Sequence, residues 1–304
     1  MKHSRRFFSV GLVITSSLLW LTMNLGCTSD SDDGDDTKAG SNQGVGGNGN
    51  STDTCYAAPE SSVSAVADTT DKKRAVKITG AIVTSWPAIV YFGSGDGTCL
   101  WGLFIRDPNE PKGVMVASYG EKAPSGYKNA LDCPRKGMGI DLDLKPGDVV
   151  ELVGEVDTYV AKDCGSNVPA QRQVMVYGKQ CKVTKTGTST LQPLEVTDNA
   201  GLQALASGRA DLQGMLVKLV KPVVLPDSDG AVVSNVGVMR VDAGDGKVLE
   251  VHNKFFYLAN GRQAFKKNES FEHIMGVSHL DYCTWVVQAR DKCVDFEPAS
   301  QDCP

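Results

Sequence analysis

Several things that would announce a function are missing from this 304-residue chain. Nucleophile elbows, glycine-rich phosphate loops, zinc-protease helices and dinucleotide fingerprints are absent, so the common hydrolase, nucleotide-dependent and dehydrogenase chemistries have no carrier. Histidine is scarce: of four, only His252, His273 and His279 lie beyond the amino-terminal segment, which leaves few general bases. No CxxC pair occurs and the histidines are not interleaved with cysteine, which argues against a zinc site. Basic excess is missing too. Formal charge is -5, and losing Lys2, Arg5 and Arg6 with a leader takes it to -8, the wrong sign for a general nucleic-acid binder. No catalytic residue, metal or cofactor is expected.

Cysteine, by contrast, is plentiful. Lys2, Arg5 and Arg6 precede an apolar run from Phe7 to Leu21, shorter than the about 20 residues of a spanning helix, so 1–26 reads as a secretory signal. Leu25, Gly26 and Cys27 resemble a bacterial lipoprotein cleavage box, which implies acylation of Cys27 and a membrane as first partner. Thr28 stands where enteric lipoproteins carry a retention Asp, so the resemblance implies the outer membrane. Nine cysteines minus Cys27 leave Cys55, Cys99, Cys133, Cys164, Cys181, Cys283, Cys293 and Cys303. An even set in an exported chain fits four disulfides. Five lie between Cys55 and Cys181 and three between Cys283 and Cys303, so complete pairing requires an odd number of bridges between the groups. Residues 27–54 are almost wholly Asp, Gly, Ser, Asn and Thr, and read as a disordered acidic tether reaching about 25 to 30 Å.

Strands dominate the remainder of the chain. After the helix-breaking Pro146, Gly147 and Asp148, apolar and charged residues alternate to Tyr159, with Gly154 inside the strand pointing to a bend or bulge. Ala75–Val83 alternates around Gly80, and Leu100–Asp107, Gly113–Ala117 and Gln173–Tyr177 complete a five-strand set. From Val63 to Val183 the series V-x-I-x-G-x-I-V, G-L-F-I-R-D, G-V-M-V and P-G-D-V-V-E-L-V-G-E-V resembles OB-fold domains that accompany secreted nucleases or bind anticodons. A second copy is expected beyond a connector near residue 190. Gly214 would match Gly80 at an offset of 134, Asp242 would match Asp107 at 135, and Gly276 would match Gly154 at 122. Asp198 is placed to cap a short helix to Ala206. The expected class is thus all-β: two tandem five-stranded OB-like barrels, at 55–190 and 191–304, the second with a Cys-rich tail.

The OB resemblance implies a ligand surface across the second and third strands and the neighbouring loops. Here that means Trp86, Tyr91 and Phe92 in the first loop, Trp101, Phe104 and Arg106 on the second strand, and Lys162 and Arg172 near the last loop. Trp101 and Phe104 cannot both face outward from a regular strand. His273 and His279, about 20 Å apart on an unbroken strand, cannot share a metal. The acidic turns at Asp227–Asp229 and Asp242–Asp245 lack the closing Glu of a calcium loop, and Asp-Gly is common hairpin chemistry. The leading expectation is a lipid-anchored envelope binding or scaffolding protein, without catalysis, that meets an envelope protein or glycan. The alternative is a module that binds single-stranded nucleic acid for an extracellular nuclease, which the negative charge disfavours.

Overall fold

A computed structural model describes residues 58–93, 95–124, 132–159, 164, 167–177, 181–234, 237–252 and 264–304. The expected signal, the expected acylation site Cys27, the expected tether, Cys55 and Lys162 lie outside these residues. The fold is all-β: the described residues form two seven-stranded sheets, two short α-helices and a 3-10 turn at Ala210–Leu212, and all belong to one unit, Gly49–Pro304.

The first sheet contains β1 (Ala75–Val83), β2 (Ala88–Phe92), β3 (Cys99–Arg106), β4 (Gly113–Tyr119), β5 (Asp148–Tyr159), β6 (Gln171–Met175) and β7 (Thr184–Thr188). Its order is β1-β3-β4-β6-β5, and β5 pairs again with β1, so five strands close into a ring. Every step is antiparallel except β4 to β6. Closure depends on Gly80. At φ +73° it occupies the left-handed region that glycine enters freely, and the β1–β5 register shifts between Ile78 and Ala81. Beyond this bulge Ile82 and Val83 also reach Arg106 and Ile105 of β3. Gly154 has a different task from the expected bend. It pairs regularly with Val76, but a Cβ there would sit 2.6 Å from the Met175 carbonyl oxygen, so it lets β6 approach. Alternate residues such as Val76, Ile78, Leu103, Ile105, Val116, Leu152 and Val174 fill the ring, and α1 (Val63–Asp68), capped by the Ser62 hydroxyl, packs into the same cluster.

The second sheet contains β8 (Leu194–Val196), β9 (Leu216–Val220), β10 (Met239–Asp242), β11 (Val248–His252), β12 (His273–Asp281), β13 (Thr284–Gln288) and β14 (Phe296–Glu297). Between β8 and β9 lies α2 (Asn199–Ala206), whose Gly201 amide donates to Asp198 Oδ1 at 2.8 Å. The order β9-β12-β13-β11-β10 repeats that of the first ring, with its one parallel step again between the third and last of the five, β11 and β13. The Val224–Val241 bridge brings the chain after β9 beside β10.

Register corrects the matching drawn from sequence. Val76 faces Gly154 and Val217 faces Gly276, so Val217 is the counterpart of Val76, and Lys221 becomes the counterpart of Gly80. Lys221 is left-handed as well, at φ +47°. Gly214 instead precedes β9, where its carbonyl accepts from the Thr84 hydroxyl of the first sheet at 3.2 Å. Likewise Val83 faces Ile105 as Val224 faces Val241, so Asp242 answers to Arg106 rather than Asp107. Gly276 does share the task of Gly154: its Cβ would meet the Gln288 carbonyl oxygen at 2.7 Å.

The disulfide Cys164–Cys283 joins the two cysteine groups, while Cys99–Cys133 and Cys293–Cys303 are local and Cys181 is also disulfide-bonded.

Candidate binding surface

Paired residues of neighbouring strands point to the same side of a sheet. On the outside of the first ring, Phe104 faces Met115, which faces Gln173; the next row is Gly102, Ala117 and Met175. The OB resemblance would place a ligand on these two rows. The second sheet lies there instead. Phe104, Met115, Ala117 and Met175 form one buried cluster with Leu216 and Val277. Phe104 is fully buried, edge-on to His279 with ring centroids 5.2 Å apart, and its amide donates to the Ser85 hydroxyl. Polar contacts border the cluster. Gln171 Oε1 accepts from the Leu280 amide at 2.7 Å and lies 3.0 Å from His279 Nδ1, and the Trp285 indole donates to the Pro169 carbonyl.

The other expected ligand residues are scattered. Trp101, 6% exposed, points inward with Leu103 and Ile105 and closes one end of the ring beside the Cys99–Cys133 disulfide, with Phe92 packed against it. Trp101 and Phe104 therefore belong to different packing clusters and neither presents a face to solvent, because the end plug and the second sheet cover them. Arg106 donates to the Gln192 carbonyl at 3.1 Å, in the connector between the sheets. Trp86 lies beneath the Arg290 guanidinium, 5.8 Å from its ring centroid. Arg290 is itself held by Asp295, through Nη2 to Oδ1 at 2.5 Å and Nε to Oδ2 at 3.1 Å, and donates to the Thr84 carbonyl. The half-buried Arg172 donates its amide to Gln213 Oε1. Among the described residues singled out in the sequence, Tyr91 is the most open, 53% exposed, while Trp86 keeps 36% of its surface beside Arg290.

Tyr91 proves to be part of a third row. The expected first loop contains β2, which pairs with β3 and places Tyr91 opposite Leu100, which faces Tyr119. The β4–β6 register continues through Val176, whose amide donates to the Ala117 carbonyl, so two residues on, Tyr119 adjoins Tyr177. Tyr119 and Tyr177 are each 52% exposed. On β5 the residues facing Met175, Gln173 and Gln171 are Glu155, Asp157 and Tyr159. Burial raises the Tyr159 phenol above its ordinary pKa, and the Asp281 carboxylate and the phenols of Tyr91 and Tyr282 add to the effect. Burial does the same at Tyr177, with Glu155, Asp157 and Tyr119 adding to it. These neighbours join Tyr91, Tyr119, Tyr159, Tyr177 and the exposed Tyr282 into one rim. All five tyrosines among the described residues lie on it. The signal available in sequence was parity: Tyr119 and Tyr177 lie two residues past outward positions of their strands.

Asp281 also belongs to a clamp. His252 Nδ1 lies 2.9 Å from Asp281 Oδ2, and Nε2 lies 2.8 Å from Glu250 Oε2. Burial disfavours the charged imidazole, but the two carboxylates outweigh it and hold the His252 pKa above the ordinary value. With both nitrogens engaged, His252 has no lone pair directed at a substrate. His273 and His279 sit at the two ends of the unbroken β12, with His279 at Gln171. Among the described residues no group of three His, Cys, Asp or Glu side chains, the clamp included, is arranged to hold a metal ion. The acidic turns are built by their own backbones: Asp229 Oδ1 accepts from the Ala231 amide and Asp242 Oδ1 from the Gly244 amide. A groove of about 400 Å³ beside Lys221 and Phe271, and another of about 500 Å³ beside Asp141 and Lys185, include no residue of the rim.

No protein-family model matches this chain, and no curated protein does. Among solved structures, the wild-type single-stranded DNA binding protein from Thermus aquaticus is similar at 14% identity and a TM-score of 0.22, over 76% of this chain and 94% of that one. A deletion mutant of the same protein is similar at 14% identity and a TM-score of 0.19, over 76% and 96%. Likeness this slight carries no inference.

Proposed function

We propose that this chain is an exported, lipid-anchored binding or scaffolding protein of the cell envelope, made of two OB-like barrels and holding its partner on the tyrosine rim of the first. The ring order β1-β3-β4-β6-β5, with one parallel step, supports the OB reading, and the repeated order in the second sheet extends it. The observation that carries the function is the rim. Tyrosine offers a large stiff ring at little entropic cost, and binding surfaces use it for that reason. Four exposed tyrosines and the half-buried Tyr159 on one surface exceed what scattered exposure requires. Catalysis has no role in this reading, since His252 is engaged at both nitrogens and His279 lies buried under Phe104. The leader and Cys27 would deliver and anchor the protein, with the disulfides suited to an oxidising compartment.

Single-stranded nucleic acid is the second reading, because exposed aromatic rings also stack bases. Glu155 and Asp157 beside Tyr177 oppose its phosphates.

Titration of the mature protein at about 10 mM salt, where backbone attraction is strongest, with a labelled oligonucleotide, a neutral oligosaccharide and peptides tests both readings. The rim reading expects binding that the variant Tyr91→Ser/Tyr119→Ser/Tyr177→Ser loses. Binding indifferent to these changes, or turnover of a probe, would overturn it. Labelling of cells with a clickable fatty acid tests the anchor: the wild type should take label and Cys27→Ser should not.

A further inference from the structure

The chemistry of the rim's partner can be read from the charges around the rings, given the binding role just proposed. We propose that the rim recognises an extended peptide segment bearing lysine or arginine side chains, whose cations lie over the tyrosine faces and are countered by Glu155 and Asp157. Three observations converge on that partner.

The rings form a track rather than a pocket. At a strand spacing of about 4.8 Å, Tyr91 and Tyr119 stand about 10 Å apart across two steps, and Tyr177 is one step further. An extended chain laid across the strands can meet successive rings.

Among the described residues, the charged neighbours of Tyr159 and Tyr177 are acidic. Glu155 and Asp157 are the outward residues of β5 next to Tyr177, and Asp281 adjoins Tyr159. Among the described residues in the rows from Leu100, Tyr119 and Tyr177 to Glu155 and Asp157, no position is Lys or Arg, and the outward cation of β3, Arg106, donates to the Gln192 carbonyl. Neither Glu155 nor Asp157 forms an ion pair with a lysine or arginine among the described residues; Asp157 accepts from the Thr158 amide and from Gln173 Nε2.

The rings are accessible. Tyr91, Tyr119, Tyr177 and Tyr282 are each more than half exposed. A cation over an aromatic face gains most when carboxylates nearby share it, whereas a phosphate chain would be repelled and a neutral sugar would leave the charge unanswered.

Fluorescence titration of the mature protein with labelled octa-arginine, and with octa-glutamate, an octathymidine strand and a neutral oligosaccharide as comparisons, decides the matter. Octa-arginine should bind, and Tyr119→Ser/Tyr177→Ser, which leaves the charge unchanged, should weaken it by about tenfold. Glu155→Gln/Asp157→Asn should weaken it to a similar degree. Equal affinity in the tyrosine variant would reduce the binding to attraction between opposite net charges and overturn the proposal, as would no binding by the wild type. Preference for the oligonucleotide or the sugar, lost in the same tyrosine variant, would overturn the cationic partner while the rim's binding role stands. Should that variant fail to fold, the tyrosine ring resonances of the unaltered protein, followed as octa-arginine is added, decide it equally: movement supports the proposal and stillness overturns it.

Discussion

One outer face of the first ring has two fates. Along β3, β4 and β6 the rows led by Phe104 and Gly102 are sealed by Leu216 and Val277 of the second sheet, and Leu100 of the next row packs against that seal, while its neighbours Tyr119 and Tyr177 stay open. The strands are shared, so the fates differ in the side chains each row carries and in the reach of Leu216 and Val277. Phe, Met and Ala have no polar atom to satisfy and gain by leaving water, whereas a phenol keeps its ring on the sheet and its hydroxyl wet. The sharpest way to break this comparison is to cut one residue from each part. Phe104→Ala should cost about 3 to 5 kcal/mol, since a fully buried ring leaves a cavity between the sheets. Tyr119→Ala should stay within about 0.5 kcal/mol. Urea denaturation of both variants measures it, and equal costs would mean that the open row is structural after all.

The sealed part is also covalently closed. Cys164–Cys283 spans 119 residues and links the two sheets. Its replacement by Cys164→Ser/Cys283→Ser should remove about 2 to 4 kcal/mol, mainly by freeing the unfolded chain. Cys293–Cys303 closes a separation of only 10 residues, so its loss should cost less. If both removals cost the same in a denaturant titration, the bridge between the sheets contributes no more than a local staple.

Strand positions were legible because alternation is a local signal: β1, β3 and β5 fall within a residue or so of where the apolar pattern places them. The covering of Phe104 was not legible. Its sequence neighbours show an outward position, but whether outward means wet depends on Leu216 and Val277, more than 100 residues away. β2 was hidden because Pro87 and Gly93 bracket only five residues, whose register also shifts between Ile89 and Tyr91. The mismatch between Gly80 and Gly214 has a similar root. A left-handed residue is needed at the bulge, and in the second sheet Lys221 takes the strain that glycine avoids, so the composition cue vanished while the geometry stayed.

The smallest effect tests the border between the two parts, where Asp281 faces both the His252 clamp and the phenol of Tyr159. The folded pKa of His252 is raised, so its contribution to stability is fully present below the unfolded value and disappears as pH rises through the folded value. One proton limits the slope to about 1.4 kcal/mol per pH unit. Stability measured by urea denaturation should therefore decline from about pH 6 upward, and His252→Gln should flatten that decline while the pairing of Phe104 with the second sheet persists. At the acid end the sign reverses. Burial opposes the charge on Asp148, but Lys185 at 2.6 Å and the Lys145 amide lower its pKa, so this contribution holds above the ordinary carboxylate range and fades as pH falls through the folded value. A His252→Gln protein that keeps the full alkaline decline would show that the clamp does not carry it.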